Sequence, residues 1–120
     1  MKNEELDLPA RTKAFALRVV KMFCALPKTT EAQVLGKQVL RSGTSVGANY
    51  REAHRARSKA EFIAKMGDSL KELEETACWL DLLSEAGIVK PAKLASLMDE
   101  CSQFTAIFIT IINKSKGTAK

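Results

Sequence analysis

The chain has 120 residues, of which 46% are hydrophobic and 28% are charged, and its formal net charge is +5. This length suits a single domain, and the balance of apolar and charged residues excludes a disordered chain. The charge permits a polyanionic partner without requiring one. With only six glycines and three prolines, the composition favours helix.

The three cysteines of the chain, Cys24, Cys78 and Cys101, are odd in number and far apart. Such spacing fits neither a disulfide framework nor a zinc site, so reduced thiols and a cytoplasmic location are expected. The amino terminus is acidic and lacks the apolar stretch of a signal peptide. The longest apolar run, residues 106–112, is broken by Thr110 and is far shorter than the ~20 residues of a membrane span, so no membrane association is expected.

The first helix is predicted over residues 10–26. Apolar residues recur along it at spacings of four and three, which is typical of one buried helix face: Phe15, Val19, Met22 and Leu26. Pro27 predicts its end, because proline cannot continue the hydrogen-bond pattern of a helix.

The second helix is predicted over residues 30–57. The Thr29–Thr30 pair offers an N-cap, and the Glu31 carboxylate falls in the first turn, where helices favour negative charge. Spacings of four and three continue along a heptad seam that has two polar members: Leu35, Val39, Ser42, Val46, Asn49, Ala53 and Ala56.

Three glycines, Gly36, Gly43 and Gly47, lie inside this helix, where each costs about 1 kcal/mol relative to alanine. Their spacings of seven and four place them on one face, on which the backbone of a neighbouring helix can come close. The alternative is a kink or a break at residues 42–44, because the Ser-Gly-Thr sequence weakens the helix there.

The third helix is predicted over residues 59–86. Ser58 and Glu61 form a capping box at its start, and Gly87 supplies a C-terminal cap. Its apolar residues follow a strict alternation of three and four: Ile63, Met66, Leu70, Leu73, Ala77 and Leu80.

The fourth helix is predicted over residues 91–113, with Pro91 in its first turn. The same alternation defines its seam: Leu94, Leu97, Cys101, Phe104, Phe108 and Ile111. Ile107, Ile109 and Ile112 lie off this seam and predict a second buried face, which a symmetric homo-oligomer would supply. The alternative is a wide core stripe that takes Ile107 and Ile112 and leaves one isoleucine exposed.

Four amphipathic helices with short connections predict an all-α fold, an antiparallel up-down-up-down four-helix bundle that occupies the whole chain as one domain. At 1.5 Å per residue, each of the two central helices would be about 40 Å long. Such a slim bundle exposes much side surface, on which a ring-like homo-oligomer can assemble.

Three motifs occur in order in the middle of the chain. They are the Ser-Val-x-x-Asn-x-x-Glu run of residues 45–52, the Ser-Lys-x-Glu-Phe turn of residues 58–62, and the Ser-Leu-Lys-Glu-x-x-Glu-Thr-x-x-Trp-Leu helix of residues 69–80. In these motifs and in its layout, the chain resembles the four-helix-bundle family first found encoded in intervening sequences of 23S rRNA genes. Members of that family are similar to the accessory protein of diversity-generating retroelements, a pentameric bundle that binds nucleic acid and a reverse transcriptase. The resemblance therefore implies a homo-oligomer, with a pentamer favoured, and a role associated with RNA or DNA.

Asn49 and Glu52 lie three residues apart on one helix face, with Asn49 on the core seam. An amide and a carboxylate so placed could form a catalytic or ligand pair, but no histidine, cysteine or lysine suited to nucleophilic work stands beside them. We therefore interpret Ser42, Asn49 and Glu52 as buried polar contacts that fix the register of the bundle.

No other residue pattern indicates catalysis. His54, the one histidine, has Arg57 and Ser58 where a second metal ligand would be needed. Cys101 occupies a core position, which suits a small hydrophobe better than a nucleophile. Phosphate-binding glycine loops, HExxH and GxSxG motifs are absent from the sequence. A non-enzymatic protein without a metal or a cofactor is therefore expected.

Charges of opposite sign separate along the predicted hairpin of the second and third helices, the second being basic and the third acidic. If the hairpin turns at Ser58, Arg41 faces the neighbourhood of Glu72 and Glu75 and can pair there. Four cations near the turn have no such partners, because the facing residues 60–66 contain only one acid: Arg51, Arg55, Arg57 and Lys59.

Two functions of different classes follow from this cluster. In the first, the protein is a nucleic-acid-associated accessory protein whose oligomer concentrates these cations against phosphates. In the second, it is a structural or protein-interaction module without a nucleic-acid partner, and the same arginines pair with the acidic third helix of a neighbouring subunit. The second function predicts that Arg51→Glu dissociates the oligomer. An ordinary solvated helix end is the remaining interpretation of the cluster.

Overall fold

The computed structural model describes residues 7–117, which form four α-helices and, within that range, no strand. The helices are α1 (Leu8–Cys24), α2 (Thr30–His54), α3 (Lys59–Glu85) and α4 (Pro91–Lys116). Helices consecutive in sequence pack side by side, and α1 closes the bundle against α4 through a looser contact. The molecule is elongated, measuring 46 × 27 × 22 Å. The prediction of an all-α four-helix bundle is confirmed.

The helix α1 begins and ends earlier than predicted. It starts at Leu8 rather than at residue 10, because Pro9 fits the first turn, where its missing N–H is not needed. It ends at Cys24 rather than at residue 26, since a residue before a proline disfavours helical backbone. Leu26 is nevertheless buried, at 5% exposure, and so still belongs to the core.

The turn between α2 and α3 contains the predicted capping box. The Ser58 hydroxyl accepts the Glu61 N–H at 3.0 Å, and the Glu61 carboxylate accepts the Arg57 N–H at 3.0 Å. Ser58 needs an extended backbone for this role (φ −149°, ψ 162°). The chain therefore leaves α2 at His54, before the predicted end at residue 57.

The helices α3 and α4 each end at a glycine whose backbone lies in the left-handed region. After α3, Gly87 has φ +75°, and the Ile88 N–H donates to the Leu83 carbonyl oxygen at 3.0 Å. Gly87 N–H donates to the Ser84 carbonyl oxygen at 3.0 Å, which completes a Schellman motif. Gly117, with φ +76°, ends α4 after Lys116, beyond the predicted end at residue 113.

The glycine face of α2 contacts α1, and α2 is helical throughout residues 42–44, so the alternative of a break there is wrong. A Cβ at Gly43 would lie 2.9 Å from a methyl carbon of Val19, and one at Gly47 would lie 3.2 Å from the Cβ of Thr12. Side chains at these positions would therefore push α1 away. Close approach of the two helices explains why the helix contains these glycines.

Near its C-terminal end, α2 keeps Ala53 of the predicted heptad seam in the core but not Asn49. Tyr50 is only 5% exposed, whereas Asn49 is partly exposed. Tyr50 lies seven residues after Gly43, on the same buried row, and its ring stacks on that of Phe108. The prediction that Asn49 is a core residue is therefore wrong.

The helix α4 is the most apolar of the four. One 18-residue window within it has a mean hydropathy of 1.2, so its length and composition alone would allow it to cross a membrane. The core helix of a soluble bundle meets the same criterion, and Phe104 and Phe108 of α4 are fully buried among the other three helices.

Candidate nucleic-acid interface

Two cations of the α2–α3 hairpin form ion pairs with carboxylates on the facing helix. Arg41 lies 3.2 Å from a Glu72 oxygen and 2.5 Å from a Glu75 oxygen, as the predicted register requires. These bonds, that of Glu75 above all, raise the pKa of the Arg41 guanidinium. The Lys65 ammonium lies 2.7 Å from a Glu52 oxygen, which raises the pKa of Lys65 in the same way.

Six other cations of the hairpin have no such partner within residues 7–117. Lys37 and Lys71 lie along the two helices, and the other four lie around the turn. We call these four the cationic tip: Arg51, Arg55, Arg57 and Lys59. All four side chains are exposed, and none of them makes an ion pair or a side-chain hydrogen bond within residues 7–117. Their two acidic neighbours are otherwise engaged, since Glu52 pairs with Lys65 and Glu61 caps the turn.

The fold presents the cationic tip at one end of the bundle. Arg51 lies in the last turn of α2, Arg55 caps that helix, and Lys59 begins α3. Because α4 runs parallel to α2, its last turn reaches the same end and adds Lys114 and Lys116. Positive side chains at the C-terminal ends of α2 and α4 are also favoured by the helix dipoles. The result is a cationic surface that can contact several phosphates at once.

His54 lies beside the cationic tip but points toward aromatic rings. Its ring centroid is 4.6 Å from that of Tyr50 and 6.1 Å from that of Phe62, in edge-to-face geometry. Within the part of the chain that the structure describes, no three histidine, cysteine or acidic side chains are grouped as metal ligands. His54 is an exposed residue that contacts these two aromatic rings.

The residues predicted as buried polar contacts have different environments. Ser42 is fully buried and its hydroxyl oxygen lies 2.8 Å from that of Thr76. Glu52, by contrast, is exposed and pairs with Lys65, so the prediction of a buried carboxylate there is wrong. Glu52 lies three residues after Asn49, on the same side of α2, and Asn49 is itself partly exposed.

Sequence reasoning missed the other polar groups that join α2 and α3. Ser69 is fully buried and its hydroxyl donates to the Val46 carbonyl oxygen at 2.6 Å. Thr76 is also fully buried, and its hydroxyl contacts Ser42. The seven-residue spacing of Ser69 and Thr76 was a usable signal, but the apolar seam one position further along the helix obscured it. These hydroxyls are structural and lie away from the cationic tip.

The three isoleucines predicted to form an oligomer interface are not equally accessible. Ile112 is buried, Ile107 is partly buried against the core, and Ile109 is 43% exposed. The core stripe of α4 is therefore wide enough to take Ile112, which excludes that side chain from an interface between subunits. Ile109 remains the most accessible of the set.

Cys101 lies in the core, at 3% exposure. Burial, and to a lesser extent the charge of Glu100, raises the pKa of its thiol to about 12. The thiolate, which is the reactive form of cysteine, is therefore suppressed at neutral pH.

Comparison with known proteins identifies the family of this fold. The family described as 23S rRNA-intervening sequence protein matches residues 4–110. A crystal structure of a protein of unknown function from the S23 ribosomal protein family of Bacteroides thetaiotaomicron is similar, with a TM-score of 0.82 and 38% sequence identity. That similarity covers 87% of this chain and 96% of the other. No curated protein matches the sequence. The chain belongs to the 23S rRNA-intervening sequence protein family.

Proposed function

We propose that this protein is a non-enzymatic, cytoplasmic homo-oligomer that binds the phosphate backbone of nucleic acid through its cationic tip. One observation supports the proposal above all. Four of the six unpaired cations of the hairpin are exposed and lie together around its turn, whereas the other two, Lys37 and Lys71, stand apart along the helices. Unpaired arginines on one surface are the usual means of phosphate contact, because guanidinium binds phosphate in a bidentate way.

Assembly into an oligomer would bring several copies of the cationic tip together. One subunit offers four tip cations, which is a small site for a nucleic acid, whereas a ring places several copies of the tip on one face. The helices also expose large apolar side chains that a neighbouring subunit would cover: Leu17, Val20, Val34, Leu82 and Ile109. We favour a pentamer, as the family resemblance implies.

The test is a binding titration with labelled single-stranded RNA and duplex DNA at about 50 mM and about 200 mM salt, across which phosphate contacts lose affinity steeply. Four phosphate contacts per site give a slope of about −3 in a plot of log affinity against log salt. The triple variant Arg51→Ala, Arg55→Ala, Arg57→Ala should lose most of the binding and most of the slope. Absent or salt-insensitive binding by the intact oligomer would contradict the proposal.

A matched control removes the same charge elsewhere. Lys28, Lys37 and Lys71 are exposed and outside the cationic tip. Their triple substitution by alanine lowers the net charge by the same amount and should leave most of the binding intact. Equal losses in the two triple variants would mean that overall charge, rather than the tip, carries the binding.

The second function, a protein-interaction module whose arginines pair across subunits, has fewer acids available than the sequence suggested. Glu72 and Glu75 are already bonded to Arg41 within the chain, so the arginines of a neighbouring subunit would have to pair with other acids of α3, such as Glu74. If Arg51→Glu dissociates the oligomer on a sizing column and nucleic acid does not bind, this second function is the correct one.

A further inference from the structure

A groove opens at the end of the bundle opposite the cationic tip, between α1 and α4. Its volume is about 580 Å³, and it lies between the α1–α2 loop and the α3–α4 loop. Apolar side chains such as Met22 and Leu94 form its floor, and four cations surround them: Arg18, Lys21, Lys90 and Lys93. We call this the basic groove.

No carboxylate lines the basic groove. Arg18 donates to the Ser96 hydroxyl at 2.7 Å, while Lys21, Lys90 and Lys93 have no ion pair within residues 7–117. Clustered cations over an apolar floor repel one another unless an anion joins them. The groove therefore suits an occupant that combines carboxylates with an aliphatic side chain.

The outer face of α3 offers that combination. We call it the acidic edge: Glu74, Asp81, Leu82 and Glu85. All four are exposed, Leu82 at 41%, and the three acids have no ion pair within residues 7–117. Asp81 and Glu85 are four residues apart and so share a helix face, with Leu82 beside them.

The positions of the two surfaces allow one copy of the chain to meet another. Both lie at the same end of the bundle, since the groove contains the loops after α1 and α3 and the acidic edge includes the last turn of α3. They lie on different sides of the molecule, because α3 is diagonal to α1 in this topology. The contact would join two different surfaces that lie at the same level along the bundle axis. Such a contact repeats from one copy to the next around an axis parallel to the bundle, and it can close into a ring.

We propose that the acidic edge of one copy binds in the basic groove of the next, with Leu82 on the apolar floor and Asp81 and Glu85 against the groove lysines. This contact deepens the homo-oligomer part of the proposed function and rests on it. It also leaves the cationic tips at the other end of the ring, all on one face and free for phosphate.

Charge reversal tests the contact. The double variants Lys90→Glu/Lys93→Glu and Asp81→Lys/Glu85→Lys should each run as smaller species than the wild type in light scattering at the same concentration. Combining all four substitutions restores opposite charges across the contact and keeps the net charge of the wild type, +5. The fourfold variant should therefore recover the wild-type mass. The double variant Lys13→Glu/Lys37→Glu, which reverses exposed lysines outside the groove, should keep the wild-type mass throughout.

The possible failures are distinguishable. If the wild type is oligomeric and both double variants keep its mass, the homo-oligomer stands and the groove has another occupant, such as an acidic peptide of a different protein, which overturns this contact. If the double variants dissociate and the fourfold variant does not recover, the charges do not face each other and the contact is also overturned. If the wild type is itself monomeric, both this contact and the proposed homo-oligomer fail. Circular dichroism confirms that each variant is helical before its mass is interpreted.

Discussion

The ring of Tyr50 stacks on the ring of Phe108, with the centroids 5.6 Å apart and the planes 9° apart. The two residues belong to α2 and α4, which are diagonal in the bundle, so the stack spans its centre. The Phe108 ring also contacts the ring of Phe104. The Phe104 ring in turn packs edge-to-face on Phe15 of α1, with the centroids 5.6 Å apart. This aromatic column holds three helices together beneath the cationic tip.

Replacing Tyr50 by alanine should therefore be costly. Truncation of a buried aromatic side chain costs about 3–5 kcal/mol, through lost burial and the cavity that remains. Tyr50→Phe keeps the ring and its stack on Phe108, so its loss should be well under half as large. Urea denaturation monitored by circular dichroism gives both values, and similar losses in the two variants would show that the hydroxyl, rather than the stack, matters.

Gly43→Ala should destabilise the protein although alanine is the better helix former. The new Cβ would lie 2.9 Å and 3.0 Å from the two methyl carbons of Val19, which is fully buried and cannot move aside. Such overpacking costs about 1–3 kcal/mol, which exceeds the gain of about 1 kcal/mol in helix propensity. The free energy of unfolding from urea denaturation should fall.

Gly67 is the matched control. It lies inside α3, and nothing lies within 4 Å of a Cβ added there. Gly67→Ala should therefore show the propensity gain alone and stabilise the protein by up to about 1 kcal/mol. Opposite signs at the two glycines support close helix approach as the reason for Gly43; a gain at both would contradict it.

The local features of this fold could be predicted from sequence because they depend on few residues. The box at Ser58 and Glu61 fixes the turn, and the turn fixes the hairpin register, which in turn places Arg41 against Glu75. The glycines of α2 predicted the close approach of a neighbouring helix, with a kink or a break as the alternative.

Features that depend on the exact rotation and separation of helices could not be predicted. The choice between Asn49 and Tyr50 as the core residue depends on the partner ring of Phe108 that α4 places beside Tyr50, which the sequence of α2 alone does not encode. The basic groove is formed by residues of α1, α4 and two loops, among them Arg18 and Lys93, and no spacing within one helix encodes how these elements come together. The cationic tip was predictable as an unpaired cluster, since only the hairpin register was needed to find it.

Ser42 and Thr76 should be energetically coupled. Their hydroxyl oxygens are 2.8 Å apart and both residues are fully buried, so removing one hydroxyl leaves the other without that partner. A double-mutant cycle of Ser42→Ala and Thr76→Val should give a coupling energy of about 0.5–3 kcal/mol. Urea denaturation of the four proteins provides it. Additive effects, with no coupling, would mean that this contact contributes nothing specific to the α2–α3 interface.

Cys101 should make the protein sensitive to alkali. Burial raises the pKa of its thiol to about 12, whereas in the unfolded chain the thiol ionises at about 8.5. The unfolded state therefore loses its proton first, so the contribution of this group to stability is intact below about pH 8.5 and falls by up to about 1.4 kcal/mol per pH unit above it.

The measurement compares the wild type with Cys101→Ala between pH 7 and pH 10, a range chosen because the ionisation of the unfolded thiol at about pH 8.5 falls inside it. The variant is less stable at pH 7 because it leaves a cavity, but its free energy of unfolding should decline less steeply with pH. Other groups that titrate in alkali, such as Tyr50, whose pKa is raised by burial, contribute equally to both proteins and cancel in the comparison. Parallel pH profiles would show that the thiol ionises as readily in the folded state as in the unfolded chain.

The same burial predicts that a thiol reagent at neutral pH labels the exposed Cys24 and Cys78 quickly and reaches Cys101 only when the bundle opens.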